Sequence, residues 1–192
     1  MTTDSLSEFI RNHYDVFEWR HALTIIENDF PDEWKDLCEV LENFRLKKSW
    51  IKEAGGRKSK ISEAIDSQFE SRGWIEKGFA TKVVVDGSER DNPTHKIDCY
   101  KNRIALEVEW NNKDEFYDRD LNNFRILFEL SAISVGVIIT RSDELQSVFT
   151  ELGKRHVSST THWTKLIPRI EGGGAGGCPV VAFGIRRVLY QE

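Results

Sequence analysis

Arg103-Ile104-Ala105-Leu106-Glu107-Val108-Glu109-Trp110 alternates strictly between two kinds of side chain. Successive side chains of a strand point to opposite faces. Ile104, Leu106, Val108 and Trp110 therefore share one apolar face, and Ala105, Glu107 and Glu109 share the other. Two carboxylates on one face of an otherwise apolar strand repel each other and cost stability. Just upstream, His95-Lys96-Ile97-Asp98-Cys99-Tyr100 reads as a second strand, joined tightly through Lys101 and Asn102. A hairpin there carries Asp98 across to the face of Glu107 and Glu109.

Working outward, FATKVVVD (79–86) predicts another strand, and the segment 87–93, with Gly87 and Pro93, a turn-rich connection. Downstream, Tyr117, Leu121, Phe124 and Phe128 recur at helical spacing within Glu115 to Ser131. ISVGVIIT (133–140) is a short apolar run of the kind buried at a sheet centre. A helix over 142–152 and a strand over 179–185 follow. Upstream, Ser59 is placed to cap a helix running to Gly73 with Ile61, Ile65 and Phe69 on its apolar face. Residues 1–54 read as helical, from Val16, Trp19, Leu23 and Ile26 and, after Pro31, from Trp34, Leu37, Val40 and Leu41. The order predicts a single α/β (α+β) domain: a helical N-terminal part over 1–54 and a core over 55–192, with a central mixed β-sheet flanked by helices.

With 192 residues, six Trp and eleven Phe, the chain has the apolar surface for one substantial core. No apolar run reaches about eighteen residues, so no membrane span is expected, and the polar start argues against a secretory signal. Three scattered cysteines without a CxxC pair fit reduced thiols in a cytoplasm. The net charge of −5 argues against a polyanionic partner, but its distribution does not. Arg45, Lys47, Lys48, Lys52, Arg57, Lys58 and Lys60 lie within sixteen residues that hold one acid, Glu53.

Asp98, Glu107 and Glu109 brought together raise one another's pKa values unless a cation joins them. Hard carboxylate oxygens select Mg²⁺ or Mn²⁺ over zinc, and Mg²⁺ keeps waters and takes few carboxylates. An ion so held suits phosphodiester hydrolysis. Two other patterns fail on context. Gly55-Gly56-Arg57-Lys58-Ser59 lacks the spacing of a Walker A loop, and Gly172-x-Gly174-x-x-Gly177 leads into a strand instead of a helix, unlike a dinucleotide fingerprint. A loop between sheet elements is expected there. His156 and His162 have no carboxylate or cysteine neighbours that would make a zinc site.

Asp98, eight residues, then Glu107-Val108-Glu109 resembles the PD-(D/E)XK nuclease motif. In context the chain resembles type II restriction endonucleases of the BglII/BstYI group. The likeness runs through GGRKS (55–59), a helix ending in Arg72-Gly73-Trp74, RIALEVEW, VGVIITRSDEL (135–145), STTHWTKLIPRIEGGGAGGCPV (159–180) and the closing FGI. It implies a restriction-endonuclease-like core and a homodimer that cuts double-stranded DNA at a short palindrome, with a GATC core as the expected centre. It also implies Mg²⁺, with Mn²⁺ able to substitute, held by Asp98, Glu107 and the carbonyl of Val108. A methyltransferase guarding the same site completes a restriction-modification system. Glu109 departs from the pattern: many such enzymes have lysine there and the BglII/BstYI group glutamine, whereas BamHI has glutamate. Its expected work is to bind a second ion or to accept a proton from the attacking water.

DNA contacts are expected from Arg57, Lys58, Ser59 and Lys60 at the helix start. A second set is expected from Arg155, His156, Ser158, Thr160, Thr161 and His162, in a stretch without clear periodicity. Glu63 is expected as a solvated helical acid, and Asp120 and Arg125 at the surface or a subunit interface. Three functions stay open at this point: a site-specific endonuclease, a non-specific or repair nuclease on the same fold, and a silent DNA-binding module.

Overall fold

The computed structural model describes residues 2–52, 58–153 and 160–192. In chain order its main elements are α1 (Glu8–His13), β1 (Tyr14–Trp19), α2 (Ala22–Asp29), α3 (Pro31–Asn43), β2 (Leu46–Lys47), α4 (Lys48–Lys52), α5 (Lys60–Glu70) and β3 (Ile75–Lys77). There follow β4 (Ala80–Val85), β5 (Ser88–Pro93), β6 (Ile97–Lys101), β7 (Ile104–Val108), α6 (Glu115–Glu129), β8 (Val135–Arg141), α7 (Leu145–Glu151), α8 (Trp163–Glu171), β9 (Val180–Ile185) and β10 (Tyr190–Gln191).

Six strands form one mixed sheet in the order β1-β9-β8-β7-β6-β3. The central β7, β8 and β9 are parallel, while β1, β6 and β3 pair antiparallel to their neighbours. All residues of β7, β8 and β9 are buried, as a sheet covered on both faces requires. One face carries α1, α2, α3, α5 and α7, which meet Ile104, Leu106, Val108 and Trp110. The other carries α6 and α8, whose Tyr117, Leu121, Phe124, Leu166 and Ile170 pack with Ala105, Ile138 and Ala182. The alternation of RIALEVEW is thus the division between two cores. The mixed sheet with helices on both faces agrees with the expected fold class.

The β6–β7 hairpin turns through Asn102 and Arg103, with φ of 42° and 71°. Two consecutive left-handed residues are the arrangement of a type I′ turn, whose twist matches that of the strands it joins. Lys101 pairs with Ile104, Tyr100 with Ala105 and Cys99 with Leu106. Behind β7, Gly136 of β8 lies under the ring of Phe124, which any Cβ at that position would overlap. The absence of a side chain there lets α6 seat directly on the sheet.

Four local readings are corrected by the structure. Within the stretch read as helical, Tyr14–Trp19 is a strand, pairing residue for residue with Val180–Ile185. It is an edge strand with Val16 packed on one core and Phe17 and Trp19 on the other, so it shows no alternation. The segment expected as turns contains β5, which pairs with β4 in a separate two-stranded ribbon through Ser88–Pro93. The stretch expected to be aperiodic runs into α8, with Trp163, Leu166, Ile167 and Ile170 on its apolar side. The short β3, unmarked in the sequence, extends the sheet beyond β6.

Candidate active site

Continuing the hairpin register one step beyond Cys99 and Leu106 sets Asp98 opposite Glu107. The backbone N–H of Asp98 donates to Glu107 Oε2 at 3.3 Å, and the N–H of Val108 donates to Asp98 Oδ2 at 3.1 Å. The Val108 amide thus points toward the Asp98 side, whereas that of Glu109 bonds to Ile139 of β8. In an extended strand the carbonyl of a residue follows its own N–H, so that of Val108 faces the same side.

Glu107 is 1% exposed, and its Oε1 is buried with no donor reaching it among the described residues. Burial pushes its carboxyl well above the usual range, and the charges of Asp120 and Asp98 push the same way. A buried carboxylate oxygen without a donor is costly unless something outside the protein meets it. Among the described residues, no three His, Cys, Asp or Glu side chains converge on one point that could hold a metal ion. What the chain brings together is a pair, Asp98 and Glu107, with a backbone carbonyl beside it. An orphaned hard oxygen in a two-carboxylate set fits a divalent ion that keeps waters.

Glu109 takes a different direction. Its Oε2 accepts from Asn112 Nδ2 at 2.7 Å, and its Oε1 lies 3.4 Å from a nitrogen of Arg119. Its carboxyl is pushed up to about 9 by burial and then by Asp120, offset only in part by Asn112 and Arg119. Asp120, from α6, is fully buried and does not lie at the surface. Arg119 Nε donates to its Oδ1 at 2.8 Å, while its Oδ2 has no donor among the described residues. One hint of this is legible in the sequence: Asp120 follows Tyr117 by three and precedes Phe124 by four, on the helix's apolar side. Tyr117 and Thr140 fix the strand end, with their hydroxyls 2.6 Å apart and Thr140 donating to the Glu109 carbonyl at 2.9 Å.

Asp66 of α5 is a second acid outside the motif. It is 2% exposed, its Oδ2 lies 2.5 Å from Lys58 Nζ, and its Oδ1 accepts from Cys99 Sγ at 3.6 Å. Burial pushes it up to about 6, with the charge of Asp98 adding to the effect and Lys58 opposing it. Its signal was the i, i+4, i+7 row Ser62, Asp66, Phe69 along the buried side of the helix.

Among the expected DNA contacts, Ser59 caps α5, its Oγ accepting from the N–H of Ser62 at 3.0 Å. Lys60 is exposed and pairs with Glu63, itself solvated as expected. Thr160 is half-buried, and its Oγ1 accepts from Arg141 at 2.7 Å. Thr161 is fully buried, its carbonyl accepting from Arg141 Nε and its N–H donating to the Asn112 carbonyl, so its side chain has no solvent face. His162 Nδ1 lies 2.6 Å from Asp143 Oδ1. Asn112 therefore connects this segment to Glu109. Arg57, Arg155, His156 and Ser158 lie outside the described residues, as does the Gly55-Gly56 pair.

A mixed sheet with helices on both faces and an acidic hairpin at one end is the layout of a restriction-endonuclease-like hydrolase. A family model for restriction endonuclease BglII/BglIII matches residues 14–185, and the chain belongs to that family. The match begins and ends on Tyr14 and Ile185, which are partners in the β1–β9 pairing. No curated protein matches the chain significantly. The chain is thus a type II restriction endonuclease, a hydrolase whose partner is double-stranded DNA, and enzymes of this family generally use divalent metal ions. Among the described residues no helix is long and apolar enough to cross a membrane.

Proposed function

We propose that the chain is a cytoplasmic, Mg²⁺-dependent endonuclease that cuts both strands of a short palindromic duplex as a homodimer. In this reading it forms the restriction half of a restriction-modification system, beside a methyltransferase for the same site. The observation that carries the reading is the Asp98–Glu107 pair across the hairpin, with Glu107 Oε1 buried and lacking a donor among the described residues. Asp98, Glu107 and the Val108 carbonyl would hold the ion, and Mn²⁺ would substitute. When bound, such an ion polarises a phosphoryl oxygen and lowers the pKa of its water. Palindromic sites mirror two-fold protein symmetry, which is the ground for a homodimer. The GATC core rests on the family likeness alone.

The chain's own residues supply the rest. Val108 orients the Asp98 carboxylate through its amide. Glu109, set beside Asp120 with that residue's orphaned oxygen, serves a second ion or receives the proton of the attacking water. Lys58, Ser59 and Lys60, with Arg57, face phosphates at the start of α5. Thr160 and His162, with Arg155, His156 and Ser158, contact the duplex from the other segment. The buried Thr161 supports that segment, and its own contact with DNA requires the segment to open.

The test is digestion of sequenced phage DNA with Mg²⁺, with Ca²⁺ and EDTA as controls, followed by sequencing of the ends. Discrete fragments sharing one palindrome at their ends, lost in Glu107→Gln, are expected. A smear of random ends points instead to a non-specific nuclease, and binding without cutting to a silent module. Full cutting by Glu109→Gln removes that residue from both of its assigned roles.

A further inference from the structure

The strand position that carries a lysine in many related nucleases holds Glu109 here, and that side chain turns toward Asn112 and Asp120. No cation therefore reaches the Asp98–Glu107 pair from β7. One does approach from α5. Lys58 stands just before the α5 cap, and its side chain is 53% exposed, yet its Nζ comes within 2.5 Å of a carboxylate that is 2% exposed. That carboxylate, Asp66, is tied through its other oxygen to Cys99, the residue next to Asp98 on β6. The Asp98 charge acts on both Lys58 and Asp66, so all three share one electrostatic neighbourhood.

We propose that Lys58 is a catalytic residue of the hydrolysis, its ammonium held by Asp66 so as to meet the scissile phosphate beside Asp98, and that Asp66 is its positioning residue. An exposed lysine on a flexible stem is ordinarily a loose counter-ion. Clamping its ammonium to a buried acid fixes it before substrate arrives, and a pre-set cation stabilises charge that grows in the transition state. Lys58 thus does more than grip the backbone. It supplies from a helix start the positive charge that the strand omits. No proton transfer is assigned to it: its role is electrostatic. The proposal rests on the assignment of Asp98 and Glu107 as the metal-binding pair.

The test separates rate from binding. Lys58→Met and Asp66→Asn are assayed by single-turnover cleavage at saturating enzyme in Mg²⁺, and by duplex binding in Ca²⁺. Loss of one pre-set transition-state donor lowers rates about 100-fold or more, which is the fall expected for Lys58→Met. Its dissociation constant should rise by less than about tenfold, since one phosphate contact among several is lost. Asp66→Asn should slow cleavage at least about tenfold with binding unchanged, because the ammonium is present but unanchored. Lys58→Met leaves Asp66 buried without its partner, so Lys58→Met/Asp66→Asn serves as the folding control. The double variant should be as slow as Lys58→Met alone, because the two residues act as one unit. A saturated rate for Lys58→Met within about threefold of wild type overturns the proposal, as does a loss confined to affinity with its salt slope reduced by about one. Full cutting by Glu107→Gln instead sinks the metal-pair reading itself, whatever Lys58 does.

Discussion

Three acids of the site, Glu107, Glu109 and Asp120, are each at most 2% exposed, and Arg119 is the cation that contacts Glu109 and Asp120. The metal-free protein should therefore lose stability as the pH rises through neutrality. For Glu109 the carboxyl is raised from 4.5 to about 9, so the native state keeps a proton that the unfolded chain releases between those values. A group raised in the fold contributes its stability in full below its unfolded value and loses it as the pH climbs to the folded one. One excess proton is worth about 1.4 kcal/mol per pH unit. From about pH 6 to about pH 8 the loss is on the order of 3 kcal/mol from this residue, or roughly 6–12 °C in Tm for a chain of this size. Glu107 and Asp120, raised in the same direction, add to it. The half-buried His162, pushed below its usual value by burial, opposes it. The difference between wild type and Glu109→Gln isolates one carboxyl. Urea unfolding in EDTA at both pH values should show a steeper fall for wild type than for Glu109→Gln, by about one proton. Added Mg²⁺ should flatten the wild-type fall, because an ion that binds the native carboxylates replaces the protons. Equal slopes for the two proteins in EDTA would refute the idea that this acid is held neutral by its burial.

Other expectations concern the scaffold. Gly136→Ala should cost about 1–3 kcal/mol, as overpacking does, and Phe124→Leu in the same chain should recover part of the loss in denaturant midpoint; an unchanged midpoint for the single variant would show that α6 yields freely. Arg141, 4% exposed, donates to Thr160 and the Thr161 carbonyl and lies over Phe149. Its replacement by Ala should cost about 2–3 kcal/mol in urea unfolding, because two backbone and side-chain acceptors lose a charged donor. Cys99 and Cys178 are fully buried with thiols raised by burial, and the partly buried Cys38 is pushed up to about 12. A disulfide reagent near pH 8 should therefore label the native protein slowly and all three thiols quickly in urea; rapid labelling of Cys99 would mean that α5 lifts off the sheet.

The parts of the fold legible in the sequence are those where burial has a simple period. β7 alternates because each of its faces meets a different core, and β8 is continuously apolar because both of its faces are covered. Tyr14–Trp19 escaped because Val16, Trp19, Leu23 and Ile26 mimic helical spacing across the boundary of a strand and a helix. The polar Ser88–Pro93 pairs only with β4, outside the main sheet, so no apolar face marks it. In the site, Asp98 and Glu107 could be read because one short hairpin carries both. Asp66 and Asp120 arrive on helices from either end of that hairpin. Only the packing of α5 and α6 onto the sheet reveals that they join it.

The two left-handed residues at the tip of the β6–β7 hairpin act as a ruler for the chemistry. With Asn102 and Arg103 as the whole connection, the paired positions 101/104, 100/105 and 99/106 each sum to 205, and Asp98 and Glu107 are next in that series. A single residue inserted at the tip would rotate one acid to the opposite side of the sheet and leave the other stranded. A pair of inserted residues that forms the new two-residue turn lengthens the ladder by one rung and leaves positions 98 and 107 in the same relation. If Asp98 and Glu107 share an ion as proposed, the tolerance of the chain to length change at this exposed turn is therefore set by parity.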